Sequence, residues 1–262
     1  MSRKLCCAAI QFNIRIGEID ANLAKACAAL RRAAARGAKL AVLPEMWSCG
    51  YDYRNLAKLA EETPRVLTQV QQHCRELDLV CIGSLPEWQD STIYNTAYVI
   101  DRGELVASYR KLHLFSTMQE DRYLGAGHQT LVADTSVGKL GLAICYDLRF
   151  PELFRKLALA GAEIICLPAE WPKPRQEHWQ TLLRARAIEN QLFIVAANCC
   201  GIQGKLDFFG LSQLISPLGT VLDRAEETDT ELVADFDFAE MEKYRSQISI
   251  LSDRRADIYG TP

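Results

Sequence analysis

Apolar positions along the chain follow two patterns that take turns. Short continuous runs predict buried strands, and segments with apolar residues at three- and four-residue steps predict helices. Residues 5–12 form the first strand. A helix follows from about Asp20 to Arg36, with Leu23, Ala26, Cys27, Leu30 and Ala34 on one face, Arg31, Arg32 and Arg36 on the other, and Gly37 as C-cap. Residues 40–43 form a short buried strand that delivers Pro44-Glu45. Thr63-Pro64 reads as an N-cap followed by proline at the first helical position, which opens a helix over 64–77. Strands follow at 80–84, 92–100 and 104–109, the last two joined by the hairpin turn Asp101-Arg102-Gly103. Next come an apolar run ending at Cys145, a helix over 151–160, a strand over 164–167 and a helix over 176–191. Strands at 193–197, 208–216, 220–223 and 232–236 complete the pattern, with a turn at Pro217-Leu218-Gly219. Alternating helices and strands predict an α/β fold, and hairpins among the βα units predict mixed sheets.

Composition narrows the function classes. The 262 residues are 49% hydrophobic and 24% charged with a net charge of -3, enough chain to bury a large core and too little positive charge for a nucleic-acid or anionic-membrane partner. No linker-like stretch and no internal repeat stands out, so one domain over 1–262 is expected. No apolar run reaches the roughly 18 residues of a membrane span. The apolar stretch at the amino terminus is too short for a secretion signal, so the ten cysteines read as reduced thiols in the cytoplasm. With four histidines and no Cys-x-x-Cys, neither a metal site nor a cofactor is expected.

Most cysteines fit core positions: Cys6, Cys7, Cys27, Cys74, Cys81 and Cys166 all lie inside apolar patterns. Cys145 differs, because its strand-like run stops at the thiol and a helix start follows. Backbone N–H groups at such a turn can lower a thiol's pKa or bind a developing oxyanion. A nucleophilic thiol also needs a base. His113 and His178 lack the local sequence of a papain-type site. Glu45 ends a buried strand beside aromatic residues, where desolvation would raise its pKa toward that of a useful base. Lys111 likewise ends a strand and borders the apolar segment Leu112 to Phe115.

Three segments taken together resemble a known family. Leu43-Pro44-Glu45-Met46, Tyr109-Arg110-Lys111-Leu112-His113-Leu114-Phe115 and Ile144-Cys145-Tyr146-Asp147-Leu148-Arg149-Phe150-Pro151-Glu152 occur in the order of the nitrilase superfamily of carbon–nitrogen hydrolases. The resemblance implies a four-layer αββα sandwich of two mixed sheets flanked by helices, pairing into at least a homodimer. It makes Cys145 the nucleophile, Glu45 the general base, Lys111 the residue that stabilises the tetrahedral intermediate with the Tyr146 backbone N–H, and Glu120 the second glutamate.

The segments Ala169-Glu170-Trp171-Pro172-Lys173-Pro174-Arg175 and Leu182 to Gln191 look like the ω-amidase group, whose small amide substrates, such as 2-oxoglutaramate, keep a free carboxylate. Arg149, Arg175 and Arg186 are candidates to bind that carboxylate, although Arg149 also suits an ion pair with Asp147 or Glu152, and Trp171 suits either the pocket wall or the core. The chain departs from close relatives at Asn198-Cys199-Cys200-Gly201, where they usually carry Asn-Arg-x-Gly. Other readings are an N-carbamoyl amide hydrolase, a deaminated-glutathione amidase, a nitrilase, or a catalytically silent binding or assembly protein on the same fold.

Overall fold

The computed structural model describes residues 3–260. Its elements are β1 (Lys4–Gln11), α1 (Ile19–Ala35), β2 (Leu40–Val42), α2 (Leu56–Glu61), α3 (Thr63–Leu77), β3 (Val80–Gln89), β4 (Thr92–Asp101), β5 (Glu104–Arg110), α4 (Glu120–Tyr123), β6 (Val132–Thr135), β7 (Gly138–Leu142), α5 (Pro151–Leu159), β8 (Ile164–Ala169), α6 (Gln176–Asn190), β9 (Phe193–Asn198), β10 (Cys200–Gln203), β11 (Leu206–Phe209), β12 (Gln213–Ile215), β13 (Val221–Arg224), β14 (Thr230–Asp237), α7 (Phe238–Gln247) and α8 (Ala256–Tyr259).

Two six-stranded mixed sheets carry the fold, with strand orders β14-β1-β2-β3-β4-β5 and β13-β12-β9-β8-β7-β6. In each, three parallel strands are flanked by antiparallel ones: β1, β2 and β3 in the first, β7, β8 and β9 in the second. The sequence shows no obvious repeat, yet the two halves repeat one strand pattern. Period-two alternation along β1 explains how the layers stack. Cys7 and Ala9 join the core shared between the sheets, while Ala8 and Ile10 join the core shared with α1 and α3. Helices α5 and α6 cover the far side of the second sheet, so the expected αββα arrangement of two mixed sheets flanked by helices is the one observed.

Several boundaries differ from the sequence reading. β3 continues to Gln89 through Pro86, because β2 is only three residues long and leaves that stretch of β3 with β4 as its only neighbour. Thr63 does not cap α3: the helix starts at Thr63 itself, and its hydroxyl donates to the Pro86 carbonyl at 2.6 Å. The expected strand over 208–216 is broken into β11 and β12 by Gly210 and Leu211, both at positive φ. Asn198 Nδ2 and Trp179 Nε1 donate to the freed carbonyls of these two residues at 2.8 Å each. β7 ends at Leu142, and Cys145 opens a 3-10 turn, Cys145–Arg149, before α5. Among the described residues no helix is long and apolar enough to cross a membrane.

Gly83 in β3 lies against the loop that follows β2. A Cβ there would sit 2.7 Å from Trp47 Nε1 and 2.9 Å from Leu43 Cβ. We expect Gly83→Ala to cost about 1–3 kcal/mol of stability through overpacking, measured as a lower denaturant midpoint with an unchanged slope.

Candidate active site

The chemistry-bearing side chains gather at the carboxyl ends of strands β2, β5, β7 and β8, where open α/β sheets commonly bind ligands. Glu45 follows β2, Lys111 follows β5, Cys145 follows β7, and Glu170 follows β8; Glu120 opens α4. Glu45 and Lys111 are fully buried, and Glu120 and Glu170 nearly so.

Glu45 is held from four directions. Its Oε1 accepts from Tyr51 Oη at 2.7 Å, Asn95 Nδ2 at 2.7 Å and Lys111 Nζ at 2.8 Å, and its Oε2 accepts from the Glu170 backbone N–H at 2.8 Å. Burial alone would push this carboxyl up, as expected from sequence. The charge of Lys111 and the converging donors outweigh it and hold Glu45 below its ordinary value. Glu45 is therefore ionised at rest, a correction to the sequence expectation.

Lys111 Nζ also lies 2.8 Å from Glu120. Burial opposes its charge, but the two carboxyls more than restore it and raise its pKa well above the ordinary value. An ammonium has three N–H groups, and two are directed at these glutamates, so one remains for a substrate oxygen. Glu120 Oε2 accepts from the Phe115 backbone N–H at 3.1 Å, which fixes the loop after β5, and burial with Glu45 nearby raises its pKa.

Cys145 has φ of 44°, a left-handed conformation that a residue with a Cβ adopts only when its surroundings impose it. Asp147 supplies that constraint. Its Oδ2 accepts from the Ile144 backbone N–H and from Tyr109 Oη at 2.8 Å each, and its Oδ1 lies 2.7 Å from His113 Nδ1 and 3.1 Å from the His113 backbone N. Tyr109 and His113 lie two residues either side of Lys111, so one carboxylate ties the lysine's segment to the Cys145 turn. His113, stacked on Phe150 at 3.6 Å, thus serves Asp147 and not the thiol. Burial pushes the thiol well above its ordinary value, with Glu45 adding to the effect. Of the two roles open to the helix-start N–H groups, lowering the thiol's pKa or binding an oxyanion, the first does not occur, and the resting pair is thiol and carboxylate.

A narrow cleft of about 280 Å³, open mouth included, is lined by Cys145, Glu120, Glu170, Tyr146, Trp171, Arg149 and Arg175, among others. Arg149 pairs with neither Asp147 nor Glu152. Its guanidinium lies 4.7 Å over the Trp171 ring and donates to His178 Nδ1 at 3.3 Å, and burial and the charge of Arg175 lower its pKa. Arg175 lies 5.2 Å over the Phe115 ring. Among the described residues neither arginine has a carboxylate partner within salt-bridge distance. Arg186, by contrast, is buried away from the cleft, holding the Leu148 carbonyl at 3.0 Å and Glu189 at 3.0 Å. Sequence reasoning missed Tyr51 and Asn95; the signal for Asn95 was a polar residue inside the apolar run of β4. It also left Glu170 without a role, although it quoted the segment. Among the described residues no cluster of three His, Cys, Asp or Glu side chains could hold a metal ion.

With fold and site described, the family is defined: residues 6–246 match the carbon–nitrogen hydrolase family, and the chain belongs to it. The 2-oxoglutaramate amidase of Bacillus subtilis (strain 168) is 38% identical over 253 residues, 95% of this chain and 97% of that protein. The omega-amidase of Homo sapiens is 33% identical over 97% of this chain and 96% of its own length. A mutant amidase from Nesterenkonia sp. AN1, solved with the acetamide moiety of fluoroacetamide added covalently at the active-site cysteine, matches with a TM-score of 0.88. It is 30% identical, over 97% of this chain and 95% of the other.

Two outcomes follow from this geometry. Tyr51→Phe removes a donor that favours charged Glu45, so the acid limb of the kcat/KM profile moves to higher pH while the alkaline side stays in place. Asp147→Ala leaves buried donors from Ile144 and Tyr109 unmet and costs about 2–4 kcal/mol of stability, together with a loss of kcat; denaturation and steady-state kinetics measure both.

Proposed function

We propose that this chain is an amidase that releases ammonia from a small ω-amide of a dicarboxylate, such as 2-oxoglutaramate, through a thioester on Cys145. The observation that carries the reading is the pair Arg149 and Arg175. Two guanidiniums share the cleft with Cys145, repel each other and, among the described residues, have no carboxylate within salt-bridge distance, an arrangement that suits a substrate with a free carboxylate. The names of the relatives support the same substrate class.

The chemistry proceeds as a proton cycle on Glu45. The carboxylate takes the Cys145 proton as sulfur attacks the amide carbonyl, and the carbonyl electrons move onto oxygen. That oxyanion meets the third N–H of Lys111 and the Tyr146 backbone N–H, and each such donor is worth about 10²–10³ in rate. Glu45 returns its proton to the departing nitrogen, which leaves as ammonia, and the acyl group stays on sulfur. Water then loses a proton to Glu45 as it attacks the thioester, and the expelled sulfur recovers that proton. Glu120 anchors Lys111 throughout.

We further infer that the chain acts as a single domain, in the cytoplasm, as a homodimer or higher homo-oligomer. Ten free thiols suit a reducing compartment. Exposed Ile188 on α6, Leu218, Val221 and Leu222 supply an apolar area suited to a second copy.

Cys145→Ala should abolish ammonia release, with intact-protein mass spectrometry finding the acyl adduct on the wild type alone. Arg149→Ala and Arg175→Ala should each lower kcat/KM for 2-oxoglutaramate or succinamate about 10–100-fold, the loss expected for a charge-assisted hydrogen bond, and leave propionamide turnover within a few-fold. Faster turnover of a carbamoyl amino acid or a nitrile than of any ω-amide would overturn the substrate assignment.

A further inference from the structure

One buried carboxyl takes no part in the proton cycle. Glu170 is 2% exposed, lines the cleft beside Cys145, and its Oε1 has no hydrogen-bond partner among the described residues. A buried polar atom without a partner is uncommon in folded proteins and, at a cleft, points to a group supplied by a ligand. The surroundings hold no cation dedicated to it. Lys111 is committed to Glu45 and Glu120, and the adjacent Cys199, where the resembled relatives usually carry arginine, brings only a buried thiol. Burial and the nearby Glu45 therefore keep Glu170 protonated, its pKa well above the ordinary value.

The rest of the residue frames the reacting atoms. Its backbone N–H donates to Glu45 Oε2 at 2.8 Å, and its backbone carbonyl lies 3.7 Å from Cys145 Sγ. Residue 170 thus spans the gap between base and nucleophile, the space that the substrate's nitrogen must cross to collect its proton. Topology supports a dedicated role. Glu45 follows the second parallel strand of the first sheet in Leu43-Pro44-Glu45-Met46-Trp47. Glu170 follows the second parallel strand of the other sheet in Leu167-Pro168-Ala169-Glu170-Trp171. The two glutamates are counterparts, and the two segments also meet through Glu45 N to Ala169 O at 3.4 Å.

We propose that Glu170 is a substrate-contacting residue whose carboxyl oxygen accepts a hydrogen bond from the primary carboxamide nitrogen, holding it between Cys145 and Glu45. A neutral acid suits this position, because a second full negative charge there would compete with Glu45 for Lys111 and oppose attack by sulfur. The inference rests on amide hydrolysis at Cys145 and is independent of the substrate carboxylate.

The test compares Glu170→Gln, which keeps a neutral carbonyl acceptor, with Glu170→Met and Glu170→Ala, which remove it. Each variant is assayed on succinamate and on propionamide, alongside its melting temperature. The expected result is that Gln stays within about threefold of wild-type kcat/KM while Met and Ala lose at least tenfold, the equivalent of about 1.4 kcal/mol, and to the same degree on both amides. Their melting temperatures should hold or rise, since an unpartnered buried carboxyl has been removed. Wild-type kcat/KM in Met and Ala would overturn the proposal, as would a loss confined to succinamate, a Gln variant as impaired as Met, or melting that falls in step with activity. A wild type that does not prefer succinamate over propionamide would instead count against the carboxylate reading alone.

Discussion

The site depends on one buried charge. Lys111 is removed from water, and an uncompensated ammonium there would cost several kcal/mol. Its presence requires carboxylates within reach, and Glu45 and Glu120 supply them at 2.8 Å. The dependence is mutual, because two carboxyls so near each other would not share a buried site without a cation between them. The result is a closed electrostatic unit: a cation, an ionised Glu45, further carboxyls with raised pKa values and a neutral thiol. The unit is stable until a substrate carbonyl offers a place for new negative charge. Only then does moving the thiol proton to Glu45 leave the cation matched, since the oxyanion replaces the charge that Glu45 gives up. Such a site does not need a low-pKa thiolate, and its pH response belongs to the coupled set rather than to any one group.

The fold delivers these groups by using one plan twice. Each sheet has three parallel strands with their carboxyl ends directed to the same region, and stacking the sheets brings the ends of β2 and β8 together. The first half contributes Glu45 and, from its antiparallel edge, Lys111. The second contributes Cys145 and Glu170. The repeat is legible in strand order and hardly at all in sequence, where the two segments share only Leu-Pro followed within a few residues by a glutamate and a tryptophan.

Burial and long-range contacts together explain what the sequence could and could not say. Strand runs such as 5–12 and the face of α1 were readable because burial of one face leaves a period in the chain. Glu45, Lys111 and Cys145 were readable because each interrupts an apolar run at a strand end. The protonation states were not readable. Glu45 was expected to be raised by burial, and the sign reversed because Lys111 and the Glu170 N–H, both far from it in the chain, converge with Tyr51 on its carboxylate. Arg149 and Arg186 were both candidates for a substrate carboxylate, and only Arg149 lines the cleft. Sequence spacing put acidic residues beside Arg149, but Asp147 is consumed by the Cys145 turn, whereas Arg186 meets a carbonyl and Glu189. The break between β11 and β12 was hidden because Leu211 is an apolar residue in a left-handed conformation, which composition does not reveal.

Both working turns are strained, and the strain is where the site meets the core. Met46, next to Glu45, and Cys145 both have positive φ, a cost of order 1–3 kcal/mol each. Neither is a glycine, which would remove the strain at the expense of the buried methionine side chain or the thiol. The opposing constraints are buried polar contacts: Met46 N–H to Ser84 Oγ at 2.9 Å, and Asp147 to Ile144, Tyr109 and His113. These contacts belong to β5 and the loop after it, to β3 and to the Cys145 turn, so both sheets must be assembled before the strain is met. A strained turn that persists only in the assembled fold ties a correctly aimed thiol to complete folding. Removing the clamp would free Cys145 to relax to an ordinary conformation, with the sulfur turned away from Glu45.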